Sequence, residues 1–284
     1  MEAECRMNAR LIRLTILAAA LLYISACGYM WATQRGRVFE ATSVWQSTPD
    51  RLGMKYEELH IPAGSGAEQG ELDAWWLPSE KAGAPTMLYL HGNYRNMGNN
   101  LEQALRLHQL GYNLLLGDYR GFGKSTGGQP SEKKVFEDAE SLWQYLIKRQ
   151  PAGSTFIYGH SLGGAIAIDL AVHHPEAAGL ITESTFTSMQ AMGEINYGYL
   201  PIGLLLNQRF SSLQKIATLK IPVLFIHGSW DQKVPVEMAT ELYAAAPEPK
   251  QLLLIAGGEH NNSAAIGWVE YRDAVSAFVR KNTH

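Results

Sequence analysis

The chain has 284 residues, 46% of them hydrophobic and 18% charged, and a formal net charge of −3. That balance suits a folded chain with a sizeable core, and without basic runs or interleaved aromatics it gives no reason to expect a nucleic-acid surface. Both cysteines, Cys5 and Cys27, lie near the N-terminus, which excludes a disulfide framework or a thiolate metal site in the body of the protein.

Taken in order, the N-terminus comes first. Arg6, Arg10 and Arg13 precede an apolar stretch from Leu14 to Tyr23, followed by Ile24-Ser25-Ala26-Cys27. A charged start, a short apolar core and small residues form the layout of an export signal. The last four residues resemble the bacterial lipobox, which implies cleavage before Cys27 and acylation of its thiol. Gly28 next to that cysteine implies, by the same resemblance, sorting to an outer membrane. An uncleaved anchor stays open, because Leu14 to Thr33 is uncharged and about long enough to span a bilayer. Under either reading the protein is membrane-associated and faces away from the cytoplasm. The expected organisation is a signal or anchor over 1–27, a polar connector over 28–50 and one domain over 51–284.

Lys55–Pro62 and Glu71–Pro78 read as an antiparallel pair joined by a Gly/Ser-rich turn. From there apolar runs alternate with amphipathic ones. The spacing predicts strands at Thr86–Leu90, Asn113–Leu116, Thr155–Tyr158, Gly179–Thr182, Val223–Ile226 and Gln251–Ile255. It predicts helices at Asn99–Leu110, Glu132–Arg149, Gly164–His173, Val236–Ala246 and Trp268–Lys281. This alternation implies an α/β fold, a mostly parallel sheet with helices on both faces. Residues 187–218 are longer than a plain crossover needs and rich in Met, Leu, Ile and Tyr. They read as a core crossover together with a small cap, whose apolar and Met-rich surface would suit acyl chains.

Gly159-His160-Ser161-Leu162-Gly163 is a G-x-S-x-G nucleophile elbow between a strand-like and a helix-like run. Glycines are needed there because the turn is too tight for side chains, and the turn lifts the Ser161 hydroxyl to where a base can reach it. A serine hydroxyl needs that base, and the base needs an acid to fix its tautomer. Asp231 just beyond Val223–Gly228 and His260 after the last strand supply them in the order Ser, acid, His. Both stand at the C-terminal ends of strands, where doubly wound sheets build their sites. The oxyanion hole is expected from the backbone N–H groups of Leu162 and Asn93. Glu183, also at a strand end, is an alternative acid. His91 is read as structural, and an ion pair bracing the loop Asp118–Gly121 accounts for Asp118 and Arg120. His173 and His174 suit the end of a helix dipole rather than a metal.

With these residues in view, the chain resembles the α/β-hydrolase family over most of residues 53–282. The likeness rests on His91-Gly92-Asn93, the run Asp118–Ser125, Gly159–Gly163, His227-Gly228 with Asp231 and Val234-Pro235, and Gly258-Glu259-His260. It is nearest to small membrane-anchored bacterial hydrolases akin to ABHD-type acyl-protein thioesterases, although the cysteine-rich N-terminus of the latter is missing. The resemblance implies an eight-stranded sheet. The combined reading is a membrane-tethered serine hydrolase that cleaves carboxylic esters or thioesters of a small or lipid-like acyl substrate through an acyl-enzyme, without cofactor or metal. An amidase or peptidase with the same triad and a non-catalytic lipoprotein binding module are the alternatives. A serine in the elbow disfavours dehalogenase chemistry, which runs on a carboxylate.

Overall fold

Residues 2–283 are described in a computed structural model of the chain. Eight strands form one sheet: β1 (Glu57–Ala63), β2 (Gly70–Leu77), β3 (Thr86–Leu90), β4 (Asn113–Gly117), β5 (Thr155–His160), β6 (Gly179–Glu183), β7 (Val223–Gly228) and β8 (Lys250–Ile255). Their order across the sheet is β8-β7-β6-β5-β3-β4-β2-β1. The six strands from β8 to β4 are parallel, while β2 and β1 run antiparallel at the edge. This is the mostly parallel sheet that the strand–helix alternation implies. Strands β3 to β7 are buried along their whole length, which is why they read as continuous apolar runs rather than alternating ones.

Ten helices accompany the sheet among the described residues: α1 (Glu2–Val38), α2 (Met97–Gln109), α3 (Glu132–Ile147), α4 (Leu162–His173), α5 (Met189–Tyr197), α6 (Ile202–Leu205), α7 (Ser212–Ile216), α8 (Val236–Ala245), α9 (Ser263–Ile266) and α10 (Trp268–Asn282). One apolar layer joins α3, α4, α7 and α8 through Leu142, Ile166, Ile216 and Leu242. A second, on the other face, joins α2 and α10 through Leu101, Val275 and Phe278. Ser131 caps α3 by accepting the Lys134 N–H at 3.3 Å, and Ser188 caps α5 through Ala191 at 3.0 Å.

The stretch expected as a polar connector over 28–50 is not a free stalk. Helix α1 continues to Val38, and Glu40–Ala41 pair in parallel with Tyr94–Arg95. Phe39 is buried edge-on against Phe122 and Phe210. Trp45 donates its indole N–H to Asp118 at 3.0 Å. Scattered apolar residues without periodicity each found a separate site on the domain, a pattern that no periodicity rule detects. Residues 187–218 divide in two. Helix α7 is the crossover, with Ile216 fully buried, whereas α5 and α6 stand over a cavity beside Ser161.

The ion pair expected within the Asp118–Arg120 loop is placed differently. Arg120 is fully buried and bridges to α3, donating to Asp138 at 2.5 Å and Glu137 at 2.7 Å. A third bond reaches the Glu68 carbonyl at 2.7 Å. Asp118 instead serves the loop before α2, accepting the Met97 N–H at 2.6 Å. Removing one partner of a buried pair strands the other charge. Arg120→Ala should therefore lower the unfolding free energy by about 3–5 kcal/mol, measured by urea denaturation. A loss below about 1 kcal/mol, the scale of an exposed pair, would show that the bridge is not a structural brace.

Candidate active site

The elbow is built by close backbone approach. Ser161 sits at φ 55° and ψ −121°, a region that side chains avoid. A Cβ on Gly159 would lie 2.2 Å from the Gly163 carbonyl oxygen, and one on Gly163 would lie 2.0 Å from that of Leu90. Only glycine permits both crossings. The Ser161 N–H is anchored on the Glu183 carbonyl at 2.9 Å, and its own carbonyl accepts the Thr185 hydroxyl at 2.8 Å.

Ser161, His260 and Asp231 come together in series. His260 Nε2 lies 2.9 Å from Ser161 Oγ, and His260 Nδ1 lies 2.8 Å from Asp231 Oδ2. Asp231 is fixed in turn by the N–H groups of Lys233 and Val234, each 2.9 Å from Oδ1. Burial pushes its carboxyl up, but hydrogen bonding from His227 and His260 and from the Val234 amide outweighs burial and holds it far below the usual carboxylate range. Asp231 is thus an ionised acceptor, so the imidazole proton resides on Nδ1. The free Nε2 lone pair then faces the serine hydroxyl, the arrangement for removing its proton.

The loop His91–Asn93 passes directly beside the serine: a Cβ on Gly92 would lie 3.3 Å from Ser161 Cβ. Asn93 and Leu162 both border the cavity that Ser161 opens into. Leu162 is the first residue of α4, so its N–H has no carbonyl partner within the helix. His91 is buried, faces Asp118 at 3.2 Å and packs at a tilt on the Tyr119 ring, with no hydrogen bond to Ser161. Glu183 does not meet His260. Its carboxylate accepts the Tyr158 hydroxyl at 2.5 Å, and Tyr158 in turn contacts the Tyr271 hydroxyl at 3.0 Å. His174 is held between Glu140 at 2.7 Å and Glu176 at 2.8 Å. Glu58, His60 and Asp73 bring ligand-type atoms within 4.8 Å of one another, the first two exposed and Asp73 buried, but they lie on the β1–β2 edge, several strands from β5.

The cavity measures about 800 Å³. Phe186, with Met189, Met192, Ile202 and Leu206 of the cap region, makes its apolar side, and Arg37 and Lys233 are the cations that border it. Met30, Gln34 and Val38 of α1 form a further wall, which the sequence reading of a separate N-terminus did not contain.

A family model described as Serine aminopeptidase, S33, matches residues 84–215. An uncharacterized protein of Mycobacterium tuberculosis is 36% identical over 93% of both chains. Protein bem46 of Schizosaccharomyces pombe is 32% identical, covering 83% of this chain and 82% of its own. An esterase of Pyrococcus furiosus shares the fold with a TM-score of 0.67 at 22% identity, over 85% of this chain and 96% of that one. Sheet order and relatives agree that the protein is an α/β-hydrolase. More narrowly, the chain belongs to the ABHD-type hydrolases.

One residue of the site went unread in the sequence. His160, the variable position of the elbow, points its ring at the His260 loop and holds the His260 carbonyl at 2.9 Å through Nε2. A carbonyl only accepts, so Nε2 carries the proton. Burial lowers the pKa of His160, an effect that nearby Glu183 offsets only in part. The unfolded chain, with the imidazole near 6.5, binds a proton that the native state resists. Stability from this group is therefore full above about pH 6.5 and declines as the pH falls below it. Thermal denaturation of wild type and His160→Asn across pH 5 to 7 should show a steeper acid loss in the wild type. Parallel curves would remove His160 from the account.

Proposed function

We propose that the protein is a serine hydrolase that cleaves carboxylic esters or thioesters through an acyl-enzyme. The single observation that carries this reading is the unbroken series Ser161 Oγ, His260 imidazole and ionised Asp231, with bonds of 2.9 and 2.8 Å. Ser161 Oγ attacks the acyl carbonyl while His260 Nε2 takes its proton. Asp231 holds the imidazole and balances the imidazolium charge. Leu162 and Asn93 N–H groups receive the oxyanion, whose stabilisation supplies much of the rate. His260 then protonates the leaving alcohol or thiol, and water attacks the acyl-enzyme with His260 again as base. No step calls for a cofactor.

The cavity gives the substrate its outline. Apolar cap residues suit an acyl chain, and Arg37 and Lys233 at the cavity's border favour a negatively charged substrate group. An amidase or peptidase reading has support from the description of the matching family model, and the same groups would perform it. A series of acyl esters, thioesters and amides of matched chain length separates the two: the ester or thioester should turn over at least tenfold faster, and a preference for amides would overturn the proposal. A fluorophosphonate probe should label the wild type and not Ser161→Ala. No labelling of the folded wild type would leave a binding module.

Ser161→Ala and His260→Ala should each abolish nearly all turnover, and the double variant should be little worse than either, because triad members act as a unit. Asp231→Asn should reduce kcat by about 10⁴-fold, while Glu183→Gln, tied to Tyr158 rather than His260, should do far less. The reverse order would move the acid to Glu183.

For the N-terminus we propose membrane tethering, by acylation of Cys27 after cleavage or by α1 as an uncleaved span. Its support is that α1 is long and apolar enough to cross a bilayer, with a half-exposed, unpaired Cys27 thiol. Mass spectrometry of the N-terminal peptide should find a chain that begins at an acylated Cys27. Recovery of Arg6 to Ala26 with a free thiol would reject the lipoprotein form and leave the hydrolase untouched.

A further inference from the structure

We propose that the tip of the cap, formed by Ile195, Tyr199 and Leu204, is a lipid-embedded surface that sits among the acyl chains of the bilayer beside α1. This deepens the hydrolase reading, since it states from where an acyl substrate reaches Ser161. The three side chains are 57%, 72% and 88% exposed, and no charged residue occurs from Ile195 to Gln208. An uncharged, outward-facing apolar run of that kind is costly in water and marks an interaction surface.

What covers it follows from where it is attached. The cap is fastened to α1 at two levels. Near the domain, Gln34 donates to the Leu205 carbonyl at 3.1 Å and accepts the Asn207 N–H at 2.8 Å. Further toward the N-terminus, the Tyr23 hydroxyl donates to the Tyr199 carbonyl at 3.1 Å. The cap therefore runs along the helix in the direction of its apolar end.

Depth can then be read off the helix. Tyr29 and Trp31 are exposed on α1, aromatic residues of the type that settle at the membrane interface, and Arg35 and Arg37 follow on the water side. Tyr23 lies six to eight residues before Tyr29 and Trp31, about 9–12 Å deeper at about 1.5 Å per residue. Tyr199, bonded to Tyr23 of the uncleaved span, is therefore below the headgroups, as deep as the apolar face of a monotopic helix. In the lipoprotein form residues 1–26 are removed with Tyr23, and the two Gln34 bonds alone hold the cap beside the acylated end of the helix. From the embedded tip, the path to Ser161 runs between α1 and the cap, past Met30, Tyr197 and Ile202, which border the cavity.

The test uses the full chain reconstituted in phosphatidylcholine nanodiscs, with and without bromine at mid-chain of the acyl groups. Leu204→Trp adds a reporter to the existing tryptophans, and Lys148→Trp, at the end of α3 on the opposite edge of the sheet, is the control. Brominated lipid should remove most of the emission added at position 204 and none of that added at 148. An unquenched reporter at position 204 overturns the proposal, and a concentration-dependent dimer in the same sample would assign the surface to a second copy instead. In parallel, Leu204→Asp should slow hydrolysis of a long-chain ester dissolved in the bilayer by about tenfold, with a soluble short-chain ester unaffected. Equal effects on both esters, or none, count against it. If the wild type cleaves neither ester, the hydrolase reading fails while the quenching still decides the position of the cap.

Discussion

The site depends on one crossing of backbones, where the ends of β3 and β5 meet the first turn of α4. Gly163 packs so tightly under the Leu90 carbonyl that a single methyl group would overlap it, and Gly159 is equally close to Gly163. That contact brings the loop after β3 against the serine, so the proposed nucleophile and the proposed oxyanion donors share one rigid junction. The positive φ of Ser161 costs of order 1–3 kcal/mol. Bonds from Ser161 N–H to Glu183, and from Thr185 and Gly164 to the Ser161 carbonyl, hold it in place. The strain at Ser161 falls at the position where an exposed hydroxyl is needed.

Around this junction stands a buried polar frame that takes no part in the proposed chemistry. Asp118 ties together the loop before α2, through Met97, and the segment after α1, through Trp45, while facing His91. Arg120 ties the next loop to α3. Glu183 holds a tyrosine pair beneath the elbow. Each is a charged residue at or just beyond the end of a central strand, where the last backbone groups leave the ladder and need partners. Strand ends therefore collect charged side chains for two reasons, catalysis and satisfaction of the backbone, and position alone does not separate them. Contact with His260 does: Asp231 has it and Glu183 does not.

Much of this was legible in the sequence because the signals are local. Strand β5, the elbow and α4 occupy contiguous residues, and the glycines announce the turn that they permit. The order Ser161, Asp231, His260 needed only the ends of apolar runs. Parallel strands buried on both faces are continuous apolar segments, so their limits fell within a residue or two of the observed ones. What escaped was pairing across long separations. The sequence around Arg120 points to a partner in its own loop, yet its partners lie 17 and 18 residues later on α3. Phe39 and Trp45 show no pattern in their own segment because each completes a cluster formed elsewhere. His160 carries no signal of its own, being the variable position of the motif, and its partner is the carbonyl of a residue 100 positions away.

The most consequential of these long-range links joins the N-terminal helix to the chemistry. Immediately after α1 the chain buries Phe39, and Glu40 then donates its N–H to the Asn93 carbonyl at 3.1 Å. The loop proposed to hold the oxyanion is thereby zipped to the segment that leaves the helix, and Met30, Gln34 and Val38 wall the same cavity. A flexible stalk would let the domain tumble above a membrane. Under the proposed tether, a helix that packs on the cap, lines the pocket and joins the Asn93 loop would instead set the orientation of the pocket relative to the lipid surface. The proposed association with a membrane and access to Ser161 would then be a single geometric property, established by Met30 to Glu40 after Cys27.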